Sequence, residues 1–284
     1  MPYPDNDLPG WWHSQVGQDH SIMALFANAT AQPRNRYFVD LASSQPVVLS
    51  NTRALERDYE WRGLCIEGNR ALAQALAQRR QCTTVEAIVT DSERSIEFHI
   101  TKDSTVAQAK ADSDCSNAKR RCRQATTLAA ILERHQAPAT IDYLSLDAEG
   151  QEANILLSFP FERCTFLTLT VERPPQALRD VLSKQGYTYA FNHGWFGDEL
   201  WLHASFPGGV APGIAVARRA YQAWNRAMRS PEWTVHRRGP MNMRYLRQNN
   251  CGIPAAWVEH GLPPYNRTHP VEVLDAKPPC PTAT

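Results

Sequence analysis

Several signals that announce a function outright are missing from this sequence. It has no excess of charge of one sign: 30 lysines and arginines face 29 aspartates and glutamates, a net charge of +1 over 284 residues. That balance leaves no global field to gather a nucleic acid or an anionic membrane, so no nucleic-acid partner is expected. No apolar run approaches the roughly 18 residues of a membrane span, so none is expected in this chain. The opening stretch MPYPDNDLPGWWHS has neither the basic start nor the apolar centre of a signal peptide. The seven cysteines include no Cys-x-x-Cys pair and no histidine partner at zinc spacing, so no metal site is expected from them. Gly-x-Ser-x-Gly is absent, and no Ser-His-Asp or Cys-His arrangement can be argued from spacing, which sets a hydrolase aside. Gly-x-Gly-x-x-Gly is absent too. A pyrophosphate needs backbone N–H groups brought close by glycine, so a nicotinamide-dependent oxidoreductase is the weakest enzyme reading.

What is present is an alternation of apolar strands and amphipathic helices from Tyr37 to about His203, the pattern of a parallel sheet covered by helices. The strands read YFVDL, GLCIE, TVEAIVT, IDYLSLD and TFLTLTVE, with GYTYAFN and DELWLHA as a closing antiparallel pair. The expected fold is α/β, a doubly wound, seven-stranded, Rossmann-like sheet with a C-terminal appendage. SIEFHI reads as a further strand, and the polar stretch from Lys102 to Arg123 as a loop or mobile insert. Pro174 fits the start of a helix. We divide the chain into an N-terminal segment (1–35), the sheet domain (36–205) and the appendage (206–284). In the appendage, Val216, Ala220, Trp224 and Ala227 fall at helical spacing and are expected to pack on the core. Cys65 and Cys164 read as buried thiols. Cys115 and Cys122 either form a local disulfide, in an oxidising compartment, or stay reduced. Two sequons, at Asn28 and Asn266, lean toward a secretory location, which the sequence otherwise leaves open.

Ligands of a doubly wound sheet bind outside the carboxyl ends of its strands. Acids stand at those ends here: Asp40 on the first strand, Glu67 on the second, Asp147 with Glu149 on the fourth and Glu172 on the fifth. One such acid is explained by helix capping; four together point to a ligand. Glu67 is placed to accept both hydroxyls of a ribose. The loop after the first strand, Asp40-Leu-Ala-Ser-Ser-Gln-Pro46, contains no glycine. Ala42 at a position of positive φ costs on the order of 1 kcal/mol, which a bound cofactor outweighs.

Six ordered blocks, SQVGQD (14–19), FVDLA with LSNTRALE (49–56), WRGLCIEGN (61–69), IDYLSLDAEGQEANILLSFPF (141–161), LTVERP (169–174) and FGDELWLH (196–203), together resemble the FkbM family of S-adenosylmethionine-dependent methyltransferases. The glycine-poor loop is similar to that of a eukaryotic, algal-type branch of the family. The resemblance implies S-adenosylmethionine as cofactor, with Gln18, Asp19, Asp40, Ala42, Asn51, Glu67 and Asp147 around it. It also implies a segment at Gly17, Gln18 and Asp19 that closes over the site. Methyl transfer to a glycan or small hydroxylated acceptor is the expected reaction. Asp147, Glu149 and His193 are the candidate catalytic residues, and Asp198 is a further candidate base. Trp195 and Phe196 either stack on a sugar face or fill the core edge. The alternative is an inactive fold that serves as a binding or scaffold module, with a protein partner on the appendage. A tail packed across the carboxyl ends of the strands, or a cleft closed by Pro46, would favour it.

Overall fold

The strand-end acids are brought together by the order in which the strands pair. The computed structural model describes residues 12–29, 35–47, 49–100, 107–110, 122–194 and 197–228. Its main sheet is built from β1 (Tyr37–Leu41), β2 (Arg62–Glu67), β3 (Thr83–Glu86), β8 (Thr140–Leu146), β9 (Thr165–Glu172), β10 (Tyr187–His193) and β11 (Asp198–His203). They lie in the order β10-β11-β9-β8-β1-β2-β3. All neighbours are parallel except β11, which runs antiparallel to both β9 and β10. The chain therefore grows outward in one direction from β1 to β3 and in the other from β8. The crevice between the β1 and β8 ends is the place where such sheets take ligands.

The pleat divides the core between two faces. Phe38 and Cys65 face one side, with Trp12, Ile22, Phe26, Leu55, Trp61 and Phe206. Val39, Leu64 and Ile66 face the other, with Leu128, Ile131, Ile155 and Leu178. The central strands β8 and β9 are buried along nearly their whole length, as strands covered on both faces must be. Gly63 is required by the β1–β2 approach, because a Cβ there would lie 2.0 Å from the Phe38 carbonyl oxygen.

Helices α1 (Gln18–Ala29) and α7 (Val210–Met228) pack on each other, and α7 also meets β10 and β11. On α7, Ala217 and Trp224 are buried, whereas Val216 and Ala220 are half-buried flanks of that face. Helix α2 (Arg53–Tyr59) ends on Glu60 in the left-handed conformation. The Asn69 side chain caps α3 (Arg70–Arg79), and Thr127 caps α4 (Leu128–Arg134). Helix α5 is Glu152–Leu157, and α6 (Gln176–Lys184) starts just after Pro175, one residue beyond the expected proline.

Two expectations are corrected. The Lys102–Arg123 stretch is not all loop. Together β4 (Ile88–Thr90), β5 (Arg94–Ile100), β6 (Ala107–Lys110) and β7 (Cys122–Thr127) form a second sheet, β4-β7-β5-β6. Its small core is Ile88, Ile96, Phe98 and Ala125. Strand β7 buries only Ala125, so it carries no alternation that a sequence reading could detect. The second correction is Cys65, which is not a free thiol: it is disulfide-bonded to Cys82 across 17 residues, tying β2 to the chain entering β3. Cys122 is also disulfide-bonded, and Cys115 lies outside the described residues. Cys164 is a free, half-buried thiol whose pKa burial pushes up to about 11.

Candidate active site

The glycine-free loop after β1 takes a glycine-like course without glycine. Ala42, Ser44 and Leu49 have φ of 60°, 54° and 62°. Left-handed backbone is unfavourable for residues with a Cβ, so something must hold the loop in place. The Ser43 N–H donates to the Ile66 carbonyl at 3.1 Å, and the Ser43 hydroxyl donates to the Asp40 carbonyl at 2.6 Å. A buried arginine fixes the far side. Arg80 donates to Glu56 (2.9 Å), to the hydroxyls of Ser50 (3.0 Å) and Thr52 (2.9 Å), and to the Pro46 carbonyl (3.3 Å). Thr52 in turn donates to Asp40 at 2.5 Å. Asp40 is thus a buried anchor of this network. Burial raises its pKa against the opposing pull of Arg80, Thr52 and Ser145. Asn51 donates to the Ser145 hydroxyl at 2.9 Å and belongs to the same layer under the loop.

Above that layer opens a cleft of about 400 Å³ counting space shared with solvent. Ala42 and Glu67 line it, with Gly68 beside them. Ile88, Val89 and Phe98 form an apolar wall, and Ala148 and Gln151 close the other side. Pro46 is buried beneath the loop and does not line this cleft. Glu67 accepts from the Ser44 N–H at 2.8 Å through one carboxylate oxygen and from the Asn69 N–H at 2.7 Å through the other. The Gly68 N–H also approaches this carboxylate. Burial raises its pKa, opposed by those N–H groups. A Cβ on Gly68 would lie 2.9 Å from Phe98 and 3.1 Å from Ile88, so the apolar wall stands directly against the strand end. Arg123 fastens the small sheet there, donating to the Gly68 carbonyl at 2.6 Å and to Glu86 at 2.8 Å.

Next to the cleft the carboxylates gather. Asp147 follows β8, Glu172 ends β9, Asp198 opens β11, and Glu149 and Glu152 lie at the start of α5. Glu172, Asp198 and Glu152 are 6 %, 5 % and 5 % exposed, so these are buried acids and not a solvated face. Burial, then the neighbouring Glu172, hold the Asp147 carboxyl well above the usual carboxylate range. Burial and Glu172 also raise Asp198, to about 6, while the Gln18 side chain opposes the shift. Glu149, with φ of 50°, is half-buried and raised by burial and Glu172, with Arg173 opposing. Arg173 pairs with Glu172 and lies 4.0 Å from Glu149. Glu152 accepts from the Ala148 and Gly150 N–H groups, which shapes the turn after β8.

The N-terminal segment joins this group through Gln18, whereas Asp19 is an organiser of its own turn. Asp19 is fully buried and accepts from the N–H groups of His13, Ser14 and His20 and from the Ser14 hydroxyl. Gly17 has φ of 84°, and a Cβ on it would lie 2.8 Å from the Trp224 ring, so α7 presses on this turn.

His193 is neither a surface-loop residue nor an open base. It is fully buried, its Nε2 lies 2.9 Å from the Ser21 hydroxyl, and its ring meets Phe191 and Tyr221. Burial depresses its pKa to about 3. Trp195 and Phe196 lie outside the described residues. Sequence reading missed Phe98, Ile88 and Gln151 on the cleft wall, and Thr52 with Arg80 beneath it. Only Arg80 carried a trace, as a charged residue closing an otherwise amphipathic helix.

Among the described residues, no helix is long and apolar enough to cross a membrane. No curated protein and no solved structure matched the chain. The family model described as the methyltransferase FkbM domain matches residues 32–189, more than half of the chain, from just before β1 into β10. Together with the seven-stranded sheet and its single antiparallel strand, this match gives the chain's family: it belongs to the FkbM methyltransferase domain family, with a Rossmann-like methyltransferase fold.

Proposed function

We propose that this methyltransferase uses S-adenosylmethionine and methylates a hydroxyl of a sugar or another hydroxylated acceptor. One observation carries the reading: a cleft with an acid and an apolar slot at one end opens beside a buried carboxylate group. The donor set fits a nucleoside. Glu67 presents its carboxylate in the cleft for ribose hydroxyls, and Ile88, Val89 and Phe98 form a wall for a flat ring. S-adenosylmethionine, when bound, supplies a methyl group on a cationic sulfonium.

The chain's own work is alignment and proton uptake. Gln18, held by the Asp19 turn, sets the floor beside Asp198. Asp147 and Glu149 face the acceptor. Glu149, half-buried and adjacent in the chain to Ala148 of the cleft wall, accepts the hydroxyl proton and can pass it to water. His193, closed off and neutral, positions α1 through Ser21. Ala42 holds its left-handed backbone without glycine, and Pro46 stays out of the cleft, so this loop, among the described residues, does not favour an inactive scaffold. The buried Cys65–Cys82 disulfide supports folding in an oxidising compartment, and Asn28 of the first sequon is exposed. The remainder of the appendage, with the second sequon at Asn266, lies outside the described residues.

The test is transfer of labelled methyl from S-adenosylmethionine to a panel of sugars, alcohols, amines and thiols. Turnover with hydroxylated acceptors is expected, and Glu149→Gln should lower kcat by about 100-fold. Transfer to amines or thiols alone would sink the O-methylation reading; unchanged kcat in the variant would sink the role of Glu149.

A further inference from the structure

Three of the carboxylates, two buried and Asp147 half-buried, converge more tightly than proton uptake requires. One oxygen from each of Asp147, Glu152 and Glu172 lies within 4.8 Å of the other two. Two oxygens on opposite sides of a divalent cation, each at about 2.0–2.6 Å, are about 4.0–5.2 Å apart, so this spacing already matches a coordination shell. A second observation points inward independently of the clustering. The Oδ1 atom of Asp147 is shielded from solvent and receives no N–H or neutral O–H; the hydrogen-bonding neighbour of this carboxyl is Glu172, itself an acid. A buried carboxylate oxygen without such a donor is costly unless something binds it.

The protein supplies little to offset the charge there. Glu152 is oriented by the Ala148 and Gly150 N–H groups, which both bind one of its oxygens and leave the other available. Arg173 pairs with Glu172 from the exposed side, its own side chain 63 % accessible. Among the described residues, no lysine, arginine or histidine forms an ion pair with Asp147 or Glu152. Asp198 and Glu149 add further negative charge beside the group.

We propose that Asp147, Glu152 and Glu172 form a divalent-cation site beside the cleft, which holds the acceptor hydroxyl by direct coordination. Its all-carboxylate donor set suits magnesium, manganese or calcium and disfavours zinc or copper, which prefer nitrogen and sulfur. The hydroxyl-acceptor role rests on the function proposed above; the cation site itself does not. Glu149 lies outside the three and remains the group that takes the proton.

The experiment is titration of the full chain, stripped with chelator, with manganese alone, read by the electron paramagnetic resonance signal of free ion. Glu172→Gln and Glu152→Gln are titrated alongside. Gln at 152 keeps an oxygen for the Ala148 and Gly150 N–H groups, so the turn survives. Saturable binding of one ion per chain, weakened by about tenfold or more in both variants, is expected. No saturable binding by the wild type, or equal binding by both folded variants, overturns the site; near-UV circular dichroism reports folding. S-adenosylhomocysteine titration of the same samples separates the two readings. If the nucleoside binds without manganese binding, the cation site fails and the cofactor reading stands; if manganese binds without the nucleoside, the reverse holds.

Discussion

Replacing Arg80 by methionine would test what holds the glycine-free loop in shape. The Arg80 side chain has no exposed surface, and that of its partner Glu56 is 1 % exposed. It makes four hydrogen bonds, to Glu56, Ser50, Thr52 and the Pro46 carbonyl. Breaking a buried pair by removing one partner costs about 3–5 kcal/mol, because the other charge is left buried. Here Glu56 is not stranded: Arg53 donates to it at 2.7 Å, and the Gln81 and Cys82 N–H groups bind it too. Methionine also fills much of the volume. The lower end therefore applies, about 3 kcal/mol, or roughly 6–12 °C in Tm for a domain of this size. Urea unfolding of wild type and variant measures the loss. Because Ser50, Thr52 and Pro46 lose their common donor, the loop should relax, and S-adenosylhomocysteine should bind more weakly even though Arg80 does not line the cleft. A loss below about 1 kcal/mol with unchanged nucleoside affinity would refute the idea that this arginine holds the left-handed loop.

Two further outcomes follow from buried groups. The Cys65–Cys82 disulfide closes a separation of 17 residues, so Cys82→Ser should cost about 3 kcal/mol in chemical denaturation; a change under about 1 kcal/mol would mean that packing alone holds β2 to β3. His193 is neutral in the folded state, with its pKa depressed to about 3 by burial, whereas the unfolded chain takes up its proton near 6.5. Its contribution is therefore absent above pH 6.5 and destabilising as pH falls below it. Relative to His193→Gln, the wild type should lose about 2 kcal/mol more stability between pH 7.5 and pH 5. Parallel stability curves for the two proteins over that range would contradict the burial argument.

The sequence made the main sheet legible because its central strands are buried on both faces and so read as unbroken apolar runs. The acids at the strand ends were legible for the same reason: a charge that interrupts such a run stands out. Asp40 shows the limit of that reasoning. It ends β1 as expected, yet its carboxylate is bound by Thr52 beneath the loop, a partner 12 residues away whose position depends on α2 and Arg80. The second sheet escaped notice because β7 buries a single alanine and β6 is a short polar strand. That omission hid the cleft wall, since Phe98 and Ile88 reach Glu67 only through the pairing of β4 and β5 with β7. A histidine before a glycine reads as a turn residue, and nothing local to His193 reveals that α1 and α7 cover it. The convergence of the three carboxylates is not legible in the sequence for a related reason. Attention to cysteine and histidine spacing finds zinc, whereas an oxygen-only group is assembled from two stretches of chain, the turn between β8 and α5 and the end of β9.

The most direct test of the account is calorimetric titration of the protein with S-adenosylmethionine and S-adenosylhomocysteine, with Glu67→Ala alongside. The account predicts micromolar binding to the wild type and loss of that binding in the variant, whose fold is unchanged by near-UV circular dichroism. Absence of heat and of thermal stabilisation at millimolar ligand, or equal affinity in the variant, would contradict it.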